Sequence, residues 1–240
     1  MNAGFFPPSI ARSRNAAAGR ATERRDAAAW QVQSLLLDYP DDGLVGRLDL
    51  LRRVVAALDE PVGAPLRRFL DHADRTPLAR LAADYVTTFD HRRRCCLHLT
   101  YYTHGDTRNR GLALLALKQT YTAAGLRLSD DELPDHLAVV LEYAATAPRA
   151  GAALLGEHRP GLELLHRALV GLRSPWADVL GSVSATLPAL GGETRLAAAR
   201  LAAQGPPRER VGLDPFSPGL GPAEFPAPSD PPIRPRGAHR

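Results

Sequence analysis

The sequence predicts an all-α protein: a single compact bundle of about nine or ten helices with flexible tails at both ends. Apolar residues recur three and four apart through almost every segment and rarely alternate. Proline and glycine punctuate the chain between those segments, and no stretch repeats at a fixed period. Over 240 residues, 45% hydrophobic and 23% charged side chains suffice for a sizeable core.

Residues 1–22 are rich in Ala, Arg, Ser and Pro without periodicity, and residues 205–240 hold ten of the 21 prolines. Both read as disordered tails around a helical domain at 23–204. The first helix is expected at 24–38, with Trp30, Leu35, Leu36 and Leu37 as apolar contacts. Tyr39-Pro40 stops it, because proline lacks an amide and clashes with the preceding turn. A second helix follows Asp41-Asp42 and carries Leu48, Leu51, Val55 and Leu58, and a short third covers 64–73. Thr76 as N-cap and Pro77 at the first helical position then open a helix whose buried stripe is Leu78, Leu81, Tyr85 and Phe89.

Residues 90–102 read as a loop entering a helical stretch near Cys95. Asp106 is placed to cap the next helix, lined by Leu114, Leu117 and Tyr121, and Gly125 is its expected left-handed terminator. Ser129 and Glu132 have capping-box spacing, predicting a helix from there through Leu137, Leu141 and Ala145. Further helices are expected at about 149–171, 175–187 and 193–203, separated by Gly171, Ser174-Pro175 and Gly191-Gly192.

The formal net charge of +4 lies mostly at the ends. Residues 1–25 hold five arginines against one glutamate, residues 204–240 five arginines against four acids, and the body between is −1. A near-neutral body lacks the basic footprint of a nucleic-acid binder. Two adjacent cysteines, Cys95 and Cys96, make neither a disulfide framework nor a zinc site by themselves and fit a reducing compartment. No apolar run approaches the roughly 18 residues of a membrane helix. Arg24-Arg25 leads into Asp26 and an amphipathic stretch, unlike an export signal. A cytoplasmic protein without stable membrane association is expected.

The chemistry-bearing residues concentrate in 85–111. As metal ligands, His91, His98, His104, Cys95, Cys96, Asp90 and Asp106 are competent, but no usual zinc spacing joins them. Surface histidines and partly buried thiols are the plainer reading. A thiol with a nearby histidine, or Thr100 and Thr103 beside His104, could form a nucleophilic relay, yet no nucleophile elbow or phosphate-cradling loop surrounds them. A small metal- or thiol-dependent enzyme centred on residues 91–104 therefore stands as an alternative without its essential parts.

The run 104–111 also fits a recognition surface. Asp106 as a cap is worth about 1 kcal/mol. Arg108 and Arg110, in the first turn of the same helix, face the positive end of its dipole at a cost of about 0.3–1 kcal/mol each. Asp84, Asp90, Asp130, Asp131, Glu132 and Asp135 could offset them, so an internal ion-pair network and a partner-binding surface both remain open. Gly111 costs about 1 kcal/mol against alanine in a helix, which suggests close helix approach or room for a bound backbone.

Four segments in this order, LLLDYP at 35–40, ADYVTTFD at 83–90, HGDTRNRG at 104–111 and ELPDHLAVVLEY at 132–143, resemble the NarJ family of nitrate reductase assembly chaperones, within the TorD/DmsD-like redox enzyme maturation proteins. The resemblance covers about residues 28–172, with weaker agreement to about 203. It implies a TorD-like helical chaperone, not an enzyme and without a cofactor of its own. Such a protein would bind the N-terminal segment of the nitrate reductase alpha subunit. It would keep that client competent for insertion of the molybdenum cofactor, bis(molybdopterin guanine dinucleotide), before membrane attachment. The family's D-x-R-x-R-G and E-L-P-D positions fall on Asp106, Arg108, Arg110, Gly111, Glu132, Leu133, Pro134 and Asp135. Ala138 departs from the family, where proline is common, so a straighter helix start is expected there.

A partner helix could lay its apolar side between chaperone helices and turn basic groups toward a rim of acids. The expected partner-peptide site comprises Asp90, Tyr101, Tyr102, His104, Asp106, Arg108, Arg110, Gly111, Glu132, Leu133 and Asp135, with Tyr101, Tyr102 and Leu133 as groove residues and Asp90, Asp106, Glu132 and Asp135 as rim acids. A helical adaptor for an unrelated partner is the other alternative.

Overall fold

A computed structural model of the chain describes residues 8–129 and 132–205, the side chains of 8–18 and 204 excepted. Among the described residues there are eleven α-helices and a 3-10 turn, joined without strands save one antiparallel bridge between His98 and His136. The helices are α1 Pro8–Leu37, α2 Asp42–Ala56, α3 Glu60–Arg75, α4 Leu78–Phe89, α5 Leu99–His104, α6 Arg108–Ala123, α7 Leu137–Thr146, α8 Pro148–Glu157, α9 Arg159–Gly171, α10 Trp176–Ala185 and α11 Gly192–Gln204. The 3-10 turn is Arg93–Cys95.

The end of α1 is the axis of the bundle. It packs against α7, α10, α2 and α8, and α10 in turn rests on α3 and α9. Trp30, Leu36 and Leu37 are buried on α1 and meet Leu66, Phe69 and Leu70 of α3 and Trp176, Val179 and Leu180 of α10 in one core. A helix end leaves its last carbonyls without intrahelical partners. Here the Trp176 indole N–H donates to the Leu36 carbonyl at 3.1 Å and the Tyr85 hydroxyl to the Leu37 carbonyl at 2.9 Å. The same rings pack edge-on, Tyr85 at 5.6 Å and Phe89 at 5.4 Å from Trp176, so one aromatic group supplies both apolar contact and polar satisfaction.

Several expected boundaries are corrected. α1 begins at Pro8, so residues 8–22, expected as tail, are helical as far as they are described. Ala and Arg favour helix by propensity alone, and residues 19–22 are exposed, so the apolar periodicity used as the signal had no reason to be there. Residues 1–7 and the proline-rich 206–240 lie outside the described residues. Thr76 closes α3 and does not cap α4: its hydroxyl donates back to the His72 carbonyl at 2.8 Å. The stretch expected as one helix at 149–171 is two, since Pro160 lies in the first turn of α9 and cannot donate into the turn before it.

The connection from α4 to α7 differs most. Residues 96–98 are extended instead of helical, and α7 starts at Leu137, five residues after Glu132. Pro134 biases Leu133 away from helix. The freed backbone pairs across the chain: the Leu99 amide donates to the Asp135 carbonyl and the Leu137 amide to the Leu97 carbonyl, both at 2.9 Å. Asp106 does not cap α6, whose N-cap is Thr107 with its hydroxyl turned to the His104 carbonyl at 2.8 Å. Gly125 does end α6 with φ 78°, letting the Leu126 amide reach the Tyr121 carbonyl at 2.9 Å.

Two glycines have opposite surroundings. A Cβ at Gly151 would lie 2.2 Å from the Ala144 backbone, so glycine is what lets α8 meet α7. A Cβ at Gly111 meets nothing within 4 Å, so of the two readings of that glycine the close helix approach is absent. Gly151→Ala should lower stability by about 1–3 kcal/mol through overpacking. Gly111→Ala should raise it by up to about 1 kcal/mol through helix propensity. Urea unfolding of the two variants measures both, and their opposite signs are the prediction.

Candidate functional site

The segment before α7 is held by a carboxylate inside the protein. Asp135 is completely buried. One of its oxygens is 3.1 Å from His98 Nδ1. The other accepts from the Thr100 amide at 3.3 Å, from the Thr100 hydroxyl, and from the Arg110 guanidinium at 3.4 Å. Arg110 Nε also donates to the Thr100 hydroxyl at 3.2 Å, and its other arm lies 3.6 Å from Asp106. Burial alone would raise the Asp135 pKa. The hydrogen bonds from His98 and Thr100, then the adjacent His98 and Arg110 charges, outweigh that and hold it below the ordinary carboxylate value. The internal ion-pair network left open by the sequence is thus present between Arg110 and Asp135.

This anchor aims residues 132–136 at the flank of α1. Between them lies a cleft of about 390 Å³ lined by Gln31, Ser34 and Leu35 of α1 and Asp38 just past its end, by His98, Glu132, Leu133 and His136, and by Ala138, Val139 and Glu142 of α7. The α1 positions are spaced as one helical stripe. Ser34 fixes the two walls together, its hydroxyl donating to the Ala138 carbonyl at 2.7 Å. Leu133 is 44% exposed, and with Leu35 and Val139 it gives the cleft an apolar strip.

Asp38, Glu132 and Glu142 supply carboxylates, and among the described residues no lysine or arginine lines the cleft. Burial pushes the His136 imidazole below the ordinary histidine value, helped by His98 and opposed by Asp38, Asp135 and Glu132, so it does not cancel their charge at neutral pH. The cleft is apolar in strip and negative in charge, which suits a basic amphipathic segment.

The expected site residues separate. Glu132 and Leu133 line the cleft. Asp135 and Arg110 lie behind it; a fully buried carboxylate cannot be a rim acid, and Asp135 positions the wall instead. Tyr102 is core: its ring lies against Gly161 and its hydroxyl donates to the Cys96 carbonyl at 2.9 Å. Tyr101 and His104 are half-buried on α5, and Asp90, Asp106, Arg108 and Gly111 are exposed without lining the cleft. Gln31, Leu35, Asp38, His136, Val139 and Glu142 were not among the expected site residues, although five of them fall in motifs quoted above and Gln31 completes the i, i+3, i+4, i+7 spacing of 31, 34, 35 and 38.

Among the described residues no three His, Cys, Asp or Glu side chains converge as a metal site would require. Burial pushes both the Cys95 and Cys96 thiols up, away from the thiolate a nucleophile needs. No described helix is long and apolar enough to cross a membrane.

The sequence model of the nitrate reductase delta subunit matches residues 55–181, more than half of the chain. The chain belongs to the nitrate reductase delta subunit family. It is 40% identical over 158 residues to the nitrate reductase-like protein NarX of Mycobacterium tuberculosis, a match covering 65% of this chain and 24% of that protein. The chain thus spans about a quarter of the length of that relative. It is 29% identical over 164 residues to a protein of Bacillus subtilis described as a nitrate reductase molybdenum cofactor assembly chaperone, NarJ, covering 68% and 89% of the two chains. In fold it is similar to a crystal structure from Archaeoglobus fulgidus described as a redox enzyme maturation protein, with TM-score 0.50, 19% identity, and coverage of 73% and 93%. Of the two cleft walls, α7 lies inside the matched region and α1 lies wholly before it.

Asp135→Ala should cost about 3–5 kcal/mol, since it leaves Arg110 and His98 without their buried partner. Because the folded carboxyl lies below its ordinary value, the unfolded chain holds that proton more tightly. The Asp135 contribution is therefore complete above the usual carboxylate pKa of about 3.9 and is lost as pH falls through the lower folded value. Urea midpoints of wild type and Asp135→Asn should converge as pH falls below about 4, while at pH 7 the wild type is the more stable.

Proposed function

We propose that this chain is an assembly chaperone for a respiratory nitrate reductase, acting in the cytoplasm without catalysis of its own. It captures the N-terminal segment of the alpha subunit and keeps it competent for insertion of the molybdenum cofactor and for later membrane attachment. The observation that carries this reading is the apolar and acidic cleft between α1 and α7, in a chain of the delta subunit family.

The binding mode follows from the lining. A client segment folding as an amphipathic helix sets apolar anchors at i, i+3 and i+4 against Leu35, Leu133 and Val139. Each buried apolar side chain supplies about 1.5–3 kcal/mol before the cost of ordering the segment. Lysine or arginine on its other face meets Asp38, Glu132 and Glu142, where rim charges chiefly raise encounter rate and reject acidic partners. A reversible grip of this kind suits a protein that must release its client. The bis(molybdopterin guanine dinucleotide) belongs to the client and is handled as its cargo.

Isothermal titration with a synthetic peptide of the alpha-subunit N-terminus tests the proposal. Glu132→Arg with Glu142→Arg should weaken binding at least tenfold, or about 1.4 kcal/mol. Leu133→Asp should do the same, and Asp106→Lys, outside the cleft, should leave binding within about twofold, a margin worth roughly 0.4 kcal/mol. Circular dichroism should be unchanged throughout, since all four side chains are exposed. Peptide affinity that ignores the cleft substitutions would sink the assignment of this cleft.

A further inference from the structure

A second cleft, sharing no lining residue with the first, lies between the 3-10 turn and α9. It measures about 540 Å³ and is lined by Arg92, Arg93, Arg94, Cys95, Arg167, Ala168, Gly171 and Leu172. Four of the eight lining residues are thus arginines. Glu163 engages Arg167 at 2.9 Å. Among the described residues Arg92, Arg93 and Arg94 are exposed and have no carboxylate partner. Their contrast with Arg110, which is bound to Asp135 and Thr100, is direct.

Like charges brought together at one site repel unless an anion completes them. The guanidinium fork matches a phosphate through two parallel hydrogen bonds. The volume lies in the range of small-molecule sites. Between the charges, Ala168, Gly171 and the partly exposed Leu172 leave an apolar floor against which a flat ring could lie. We infer that this cleft binds a small phosphate-bearing ligand of the nucleoside diphosphate class, its phosphates held by Arg92, Arg93, Arg94 and Arg167 and its ring set over Leu172.

The inference is independent of the peptide cleft and is tested separately from it. Full-length chain is titrated at low salt with inorganic pyrophosphate, with ADP, with adenosine and with an acidic oligo-glutamate peptide. ADP should bind several-fold more tightly than pyrophosphate and raise the melting temperature, as any ligand selective for the folded state must. Adenosine alone should not bind measurably. Arg92→Gln, Arg93→Gln and Arg94→Gln together should weaken ADP and pyrophosphate at least tenfold, while the unliganded triple variant melts no lower than wild type because it relieves repulsion. Leu172→Ala should remove the advantage of ADP over pyrophosphate. Absence of ADP and pyrophosphate binding, equal binding by the triple variant, or preference for the acidic peptide overturns the assignment.

Discussion

Asp135 is the constraint from which the geometry of the α1–α7 cleft follows. A carboxylate removed from water loses several kcal/mol of hydration and persists only where donors replace it. His98, Thr100 and Arg110 are those donors, and they come from the turn before α5, from α5 and from α6. Satisfying one side chain therefore ties three elements together and keeps residues 132–136 out of helix. That irregular segment is what carries Glu132 and Leu133 to the cleft.

The opposite wall owes its rigidity to a different solution of the same problem. The last carbonyls of α1 end inside the protein, and the Trp176 indole and Tyr85 hydroxyl take them. Ser34 then bonds the carbonyl of Ala138, locking α1 to the first turn of α7. Two walls fixed by buried polar contacts can present an apolar strip without closing over it. Close contact between α7 and α8 at Gly151 backs the second wall from behind.

Arg108 and Arg110 illustrate how one sequence pattern divides in space. Both stand in the first turn of α6 against the helix dipole, and both looked equally in need of an anion. Arg110 turns inward to Asp135, whereas Arg108 stays at the exposed surface. The tyrosine pair divides likewise, Tyr102 into the core and Tyr101 only half covered. Adjacent residues on a helix point about 100° apart, so neighbours in a motif need not share a fate.

Apolar periodicity and the proline and glycine stops were enough to determine an all-helical fold, the end of α1, the termination of α6 at Gly125 and, Leu78 excepted, the buried stripe of α4, because these depend on local geometry and on which face must leave water. The capping assignments at Thr76, Asp106 and Ser129 failed: the Thr76 hydroxyl turns back to the His72 carbonyl, Asp106 lies beside Arg110, and α7 starts only after Pro134. The cleft was half legible: Glu132 and Leu133 lay in a recognisable motif, but their companions Leu35, Asp38, Val139 and Glu142 read as ordinary helix faces. Only tertiary packing decided that α1 and α7 stand side by side and that Asp135 goes inside, because burial of a charge is settled by the sum of partners the whole fold brings to it.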